Sequence, residues 1–229
     1  MPDPLQPLFA AIIANDVASA KELLKQNPGL VKLTAAKASL EYGILHWIYA
    51  GDTALHAAAA GHRPEMVKLL LASGADPEVM GKHRHARPLH YAADGAPGNP
   101  SWSAKRQVAT LRLLLAAGAN THAQDKNGAT PLHRAVRTRC AAAVQCLLDA
   151  GADATIRNKP GSTPFHLAVQ NTGRGGSGND EAKAAQREII RAFLDHGARP
   201  SVKDARGRSV LDWAKTPELR NLLTGKRGD

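Results

Sequence analysis

Short apolar runs spaced at i, i+3 and i+4 recur along the chain, and polar or glycine-bearing breaks separate them. Leu132, Ala135 and Val136 form one such run; Val144, Leu147 and Leu148 form the next. Each run fills about two helical turns, so the pattern predicts pairs of short amphipathic helices. No apolar stretch approaches the roughly 20 residues that a membrane-spanning helix needs.

Two strings punctuate these runs. The first is Thr53-Ala54-Leu55-His56, Arg87-Pro88-Leu89-His90, Thr130-Pro131-Leu132-His133 and Thr163-Pro164-Phe165-His166, with a faded copy at Ser209-Val210-Leu211-Asp212. Thr or Ser there accepts orphan amide hydrogens at a helix start, and Pro tolerates the first helical position because it has no N–H to lose. The second string is Gly74-Ala75-Asp76, Gly118-Ala119-Asn120, Gly151-Ala152-Asp153 and Gly197-Ala198-Arg199. Its Gly supplies the left-handed residue that stops the second helix of each pair. Asn127-Gly128 and Arg206-Gly207 are turn pairs suited to hairpin tips.

Turn, helix, helix, with T-P-L-H-x-A and G-A-D, resembles the ankyrin repeat, and the resemblance covers nearly the whole chain. Four full copies make the signal specific, and the unit from Thr130 to Thr163 has the family's usual period. The resemblance implies an all-α solenoid of about six repeats counting degenerate caps, one domain over 1–229. Its expected parts are an N-terminal capping repeat with a long insertion (1–50), repeats at 51–83, 84–126, 127–159 and 160–206, and a C-terminal cap (207–229). In this family the recurring histidine bonds the backbone of the adjoining hairpin. His56, His90, His133 and His166 therefore read as architecture and not as a catalytic row.

Composition agrees with closely packed small helices: 43% of residues are apolar but only 4% aromatic. Cys140 and Cys146 lie on different helix faces, which disfavours a bridge, and their scarcity fits a reducing compartment. The start, Met1-Pro2-Asp3-Pro4, has no basic region followed by an apolar run, so a cytoplasmic monomer without membrane attachment is expected. A formal charge of +10 favours acidic partners in general. Nucleic acid is disfavoured because no aromatic platform or recognition helix accompanies that charge.

Departures from the repeat carry the candidate sites. Residues 27–50 replace a short hairpin and include Leu40, Tyr42, Ile44, Leu45, Trp47, Ile48 and Tyr49. So apolar a segment is expected to fold back as an extended cap over the first repeat. The hairpin tip Lys82-His83-Arg84-His85 is one residue longer than its fellows and lacks the turn Gly. Even with His90 nearby it offers too few ligands for a metal, so a solvated basic tip is expected.

Two insertions separate the helices of their repeats, one from Asp94 to about Gln107 and one from Asn171 to about Ala185. Between them the middle repeat replaces the usual Gly-His turn with Thr138-Arg139-Cys140, preceded by Arg137. Stacking places equivalent loops roughly 10 Å apart, so the two insertions should flank Arg137 and Arg139 on one edge. From Ser101 to Arg139 seven basic residues face one acid, Asp125, a local charge of +6. Trp102, Arg106, Arg137, Arg139, Arg174, Gly175 and Gly176 thus form a candidate anion or partner site, with glycine N–H groups and arginine forks as donors. The alternative is a flexible linker beside solvated arginines. The Gly-rich run is neither a phosphate-binding loop, since no Lys-Ser or Lys-Thr follows, nor a dinucleotide fingerprint.

The architecture implied by the resemblance favours a binding module over an enzyme, with no catalytic residue, metal or cofactor expected. Asp94, Asp180, Ser177 and Cys140 are the nearest reactive groups, and no spacing selects one; Cys140 beside Arg139 allows either a lowered thiol pKa or burial. The expected partner is a protein with an acidic face, met by the hairpin tips His83, Arg84, Lys126, Asn127, Lys159 and Arg206. Exposed slots are expected at Ala60, Asp94, Arg137 and Gln170. A small anionic ligand at the insertion edge is the second reading.

Overall fold

A computed structural model describes residues 4–39, 44, 46–171 and 178–225. Within them lie twelve α-helices in six pairs: α1 (Gln6–Ala14) and α2 (Val17–Gln26); α3 (Ala54–Ala60) and α4 (Pro64–Ala72); α5 (Pro88–Ala93) and α6 (Ala104–Ala116); α7 (Pro131–Arg137) and α8 (Ala141–Asp149); α9 (Pro164–Ala168) and α10 (Asp180–Asp195); α11 (Val210–Trp213) and α12 (Pro217–Thr224). The first helices contact one another in file, α1 through α11, and the second helices do the same from α2 through α12. Two stacked layers result, the solenoid that the repeats imply.

Local chemistry fixes each start and stop. Thr130 and Thr163 accept the His133 and His166 amides at 3.4 Å, and Pro occupies the first helical position in α5, α7 and α9. The first helices of the inner pairs, α3, α5, α7 and α9, are short and almost wholly buried; every residue of α3 from Ala54 to Ala60 is at 0% exposure, with alanines letting the helices approach.

The four histidines connect the repeats. Each Nε2 lies 3.0–3.1 Å from a carbonyl of the next hairpin: His56 to Ala86, His90 to Ala129, His133 to Ser162 and His166 to Arg208. A carbonyl can only accept, so Nε2 carries the hydrogen and Nδ1 accepts from the helix cap, as from the Thr53 and Thr130 amides at 3.1 Å. Burial lowers the pKa of all four rings, which holds this neutral tautomer. Hairpin tips are joined by their backbone as well: Lys126 N–H donates to Arg84 O and Lys159 N–H to Asn127 O. In the tip without a turn Gly, His85 takes the left-handed conformation, φ 53°.

Both insertions end earlier than expected. Ser103 and Asn179 cap α6 and α10 by accepting the Arg106 and Ala182 amides, so Gln107 and Ala185 lie within helices. These helices run 13 and 16 residues against nine for α4 and α8, because part of each insertion prolongs the second helix by a turn or more. Arg174, Gly175, Gly176 and Ser177 lie outside the described residues, as do Leu40, Tyr42 and Leu45.

The segment after α2 reaches further than a cap over the first repeat. A 3-10 turn (Pro28–Lys32) leads into bridges Thr34–Thr53 and Ser39–Ile48, with Ile44 and Ile48 buried in the core. Its last residues then lie across the face made by the hairpins and first helices, against Tyr91, Asp94 and α7.

Candidate functional site

Three aspartates near the hairpins turn inward. Asp125 accepts the Asn127 and Ala129 amides on one oxygen and Arg134 on the other. Asp204 accepts the Arg206 and Arg208 amides, the Arg208 side chain and the Trp213 indole. Asp52 accepts the Tyr49 amide at 2.8 Å and the Tyr91 hydroxyl at 2.6 Å. All three residues are buried, at 9% exposure or less, and Lys82, Lys126, Arg157, Lys159, Lys203, Arg206 and Arg208 are exposed at or beside the tips of the hairpin rim, with Asp76 and Asp153 exposed where their hairpins begin. His83 and Asn127 are exposed on the same rim.

Behind this rim sits an arginine between two acids. Arg134, with its side chain 5% exposed, reaches Asp94 at 2.8 Å and Asp125 at 2.7 Å, both buried. Burial alone would raise the Asp94 carboxyl, but Arg134, His46 and Arg137 outweigh it and hold the group below its ordinary range. The Asp94 slot is therefore filled, which corrects its expected exposure; Ala60 is likewise buried, whereas Arg137 and Gln170 are exposed as expected.

His46, Trp47, Tyr49, Arg84, Tyr91, Asp94, Arg134 and Arg137 surround a cavity of about 330 Å³. Tyr49 stacks on His83 with centroids 4.8 Å apart, and the Arg84 guanidinium lies 4.7 Å from the Tyr49 ring centre. The inserted segment thereby ties itself to the second hairpin tip.

The structure separates the residues expected at the insertion edge. Arg139, in the left-handed conformation at φ 58°, donates to Ala168 O at 3.0 Å and Gln170 O at 2.8 Å, so its fork caps α9. Arg137 instead leans to Asp94 at 3.0 Å while its side chain stays 60% exposed. Arg106 bonds Ser101 O, and its charge is felt by His62 and Arg63 of the preceding repeat. Trp102 is half-buried: its indole donates to Gln107 Oε1 at 3.3 Å and packs with Cys140 around Gly95. The middle repeat's turn does lie between the two insertions, since the Gly95 amide donates to Thr138 Oγ1 at 3.3 Å and Arg139 meets Gln170. Cys140 is buried, and burial pushes its thiol up to about 11, opposite to the lowering that a neighbouring arginine allows.

Sequence reasoning missed two glutamines that make the insertions possible. Gln107 donates to Ala92 O and Ala93 O, and Gln186 to Ala168 O and Gln170 O, satisfying the carbonyl ends of α5 and α9 where the chain departs. His62, also left-handed at φ 47°, helps at Ala92 O as Arg139 does at Ala168 O. A signal existed: each Gln stands eleven residues ahead of a helix-stopping Gly, Gly118 or Gly197, in the inserted repeats, while Arg63 and Cys140 hold that place elsewhere.

Among the described residues, no group of three or more His, Cys, Asp or Glu side chains could hold a metal ion, and no helix is long and apolar enough to cross a membrane. Comparison with family models matches residues 101–204 to ankyrin repeats in three copies, and residues 50–82 to a single ankyrin repeat.

Proposed function

The chain belongs to the ankyrin-repeat family, whose stacked repeats are non-catalytic scaffolds for protein–protein interaction, and on that premise we propose that its hairpin rim binds a protein partner through an acidic face. The observation that carries this is the segregation of sign. Asp52, Asp125 and Asp204 are buried in hydrogen bonds, and Lys82, Lys126, Lys159, Lys203 and Arg206 stand exposed along the same rim. A partner approaching the tips meets an excess of positive charge, which steers encounter and discriminates against basic surfaces. His83, Arg84, Lys126, Asn127, Lys159 and Arg206 are the contacts assigned to it.

A small anion at the insertion edge has less support, because both donor arms of Arg139 already hold carbonyls and Arg106 is bonded to Ser101 O. The test is affinity capture from cell extract with the wild-type chain and with Lys126→Glu/Lys159→Glu/Arg206→Glu. Proteins held by the first and lost by the second, at unchanged circular dichroism, are the expected result. A captured set indifferent to the charge reversal refutes the reading.

A further inference from the structure

We propose that the cavity beneath the inserted segment is a receptor for a carboxylate side chain of the partner, the point at which the basic rim becomes selective. The inference rests on the acidic-partner reading and adds a place and a chemistry to it. It follows from counting which hydrogen-bonding groups around the cavity are already taken.

The carboxylates of the floor are engaged. Asp94 takes Arg134 on one oxygen and Arg137 on the other, Asp125 takes backbone amides on one and Arg134 on the other, and Asp52 takes the Tyr49 amide and the Tyr91 hydroxyl on a single oxygen. Arg134 is equally saturated, with Nε, Nη1 and Nη2 all bound. The donors at the mouth are not. Arg84 makes no hydrogen bond or ion pair through its guanidinium among the described residues and lies against the Tyr49 ring. Arg137 uses a single nitrogen, on Asp94. The ring Nε2 of His46 is buried without a partner, and Trp47, 48% exposed, lines the same cavity. Two guanidinium groups with free N–H donors at one mouth favour a ligand group that accepts.

Among such groups the carboxylate of a protein side chain fits best. The volume of about 330 Å³ holds one Asp or Glu with part of its backbone, and it opens on the rim where a protein surface would arrive. Arg84 and Arg137 approach from different repeats, so two planar forks are offered to one planar anion. The buried Asp94–Arg134–Asp125 row positions Arg137 and neutralises the floor, leaving the free charge at the mouth.

The experiment measures fluorescence anisotropy of a labelled glutamate-rich peptide against the full chain. Arg84→Gln/Arg137→Gln should weaken binding about 30-fold, given charge-assisted bonds lost at two positions, whereas Lys126→Gln/Lys159→Gln should weaken it less than about threefold. Arg84→Gln alone, which breaks no ion pair, should cost about tenfold and guards against misfolding of the double variant. Peptide binding should also change the tryptophan emission, and that change should vanish in Trp47→Phe. Equal losses in the two double variants would overturn the receptor and leave the basic rim standing. No binding by the wild-type chain would overturn both. Displacement of the peptide by millimolar free glutarate or phosphate as readily as by unlabelled peptide would show a site for loose anions and refute the protein side chain as ligand.

Discussion

Replacing Arg134 by Met tests the polar row directly. The guanidinium is 5% exposed and is shared by two carboxylates that are themselves 3% and 5% exposed, at 2.8 and 2.7 Å. Removing one partner of a buried pair typically costs 3–5 kcal/mol, because the remaining charge has lost both water and counter-charge. Here each acid keeps some compensation, Asp94 from Arg137 and Asp125 from the Asn127 and Ala129 amides, which places the cost near the lower end, about 3 kcal/mol. With a urea slope of about 3 kcal/mol/M, the unfolding midpoint should fall by about 1 M at pH 7. The loss should also depend on pH. In the wild-type chain Arg134 helps hold Asp94 and Asp125 below their ordinary range, so their contribution is present above the ordinary carboxylate pKa and lost as pH falls through the folded value. In Arg134→Met burial is opposed only in part and both carboxyls move up, so acidification to pH 4 protonates and relieves the variant, while the wild type keeps most of its carboxylate contribution until the pH falls further. Urea melts followed by far-ultraviolet circular dichroism at pH 7 and pH 4 should therefore converge. A midpoint shift under about 0.3 M at pH 7, or the same shift at both pH values, would refute the account.

Two further perturbations probe the insertion and the neutral histidines. Burial lowers His62 to about 4, with His46 and Arg106 adding repulsion, so about 3 kcal/mol of stability is fully present above pH 6.5 and lost as pH falls toward 4. His46, His56, His133 and His166 shift in the same direction, and a wild-type unfolding free energy that stays flat between pH 7 and 4 would contradict this. A Cβ at Gly95 would lie 2.2 Å from Cys140 Sγ and 2.9 Å from Trp102 Nε1, so Gly95→Ala should destabilise by about 2 kcal/mol. It should also alter the near-ultraviolet signal of Trp102 and expose Cys140 to a thiol reagent that the native chain resists; a thermal melt within about 1 °C of wild type would count against that packing.

What could be read from the sequence was whatever recurs with the repeat. Thr-Pro-Leu-His and Gly-Ala-Asp fix helix starts and stops through bonds spanning a few residues, and each histidine's far partner is simply the same hairpin one unit on. The non-periodic part stayed hidden. Asp94 meets Arg134 forty residues away and Asp52 meets Tyr91 thirty-nine away, and no local spacing announces either pair. The inserted segment was legible as apolar enough to fold back. Its reach to Asp94 depends on His46, whose ring has no counterpart in any other repeat. Arg139 misled for a related reason: its type suggested an anion fork, but its position is the left-handed turn that His62 occupies two units earlier, where the side chain serves the next helix's carbonyls.

A net charge of +10 does not by itself make a basic face, since solvated acids on the rim would cancel it locally. At the hairpin tips Asp125 and Asp204 are turned inward, which leaves the neighbouring Lys126 and Arg206 exposed. Asp125 and Asp204 each stand five residues ahead of the residue that caps the next first helix, Thr130 or Ser209, and at that offset Asn158 plays the same part for Thr163 by accepting the Ser162 amide. An Asx residue held there closes the hairpin through backbone amides, so an acid at that position stabilises the turn and is withdrawn from the surface together. The consequence for binding is a division of labour between one repeat position and its neighbours. The aspartates that close the hairpins are buried while the lysines and arginines beside them stay exposed, and on the proposed reading Arg84 of a tip and Arg137 at the end of α7 gather that charge at one cavity.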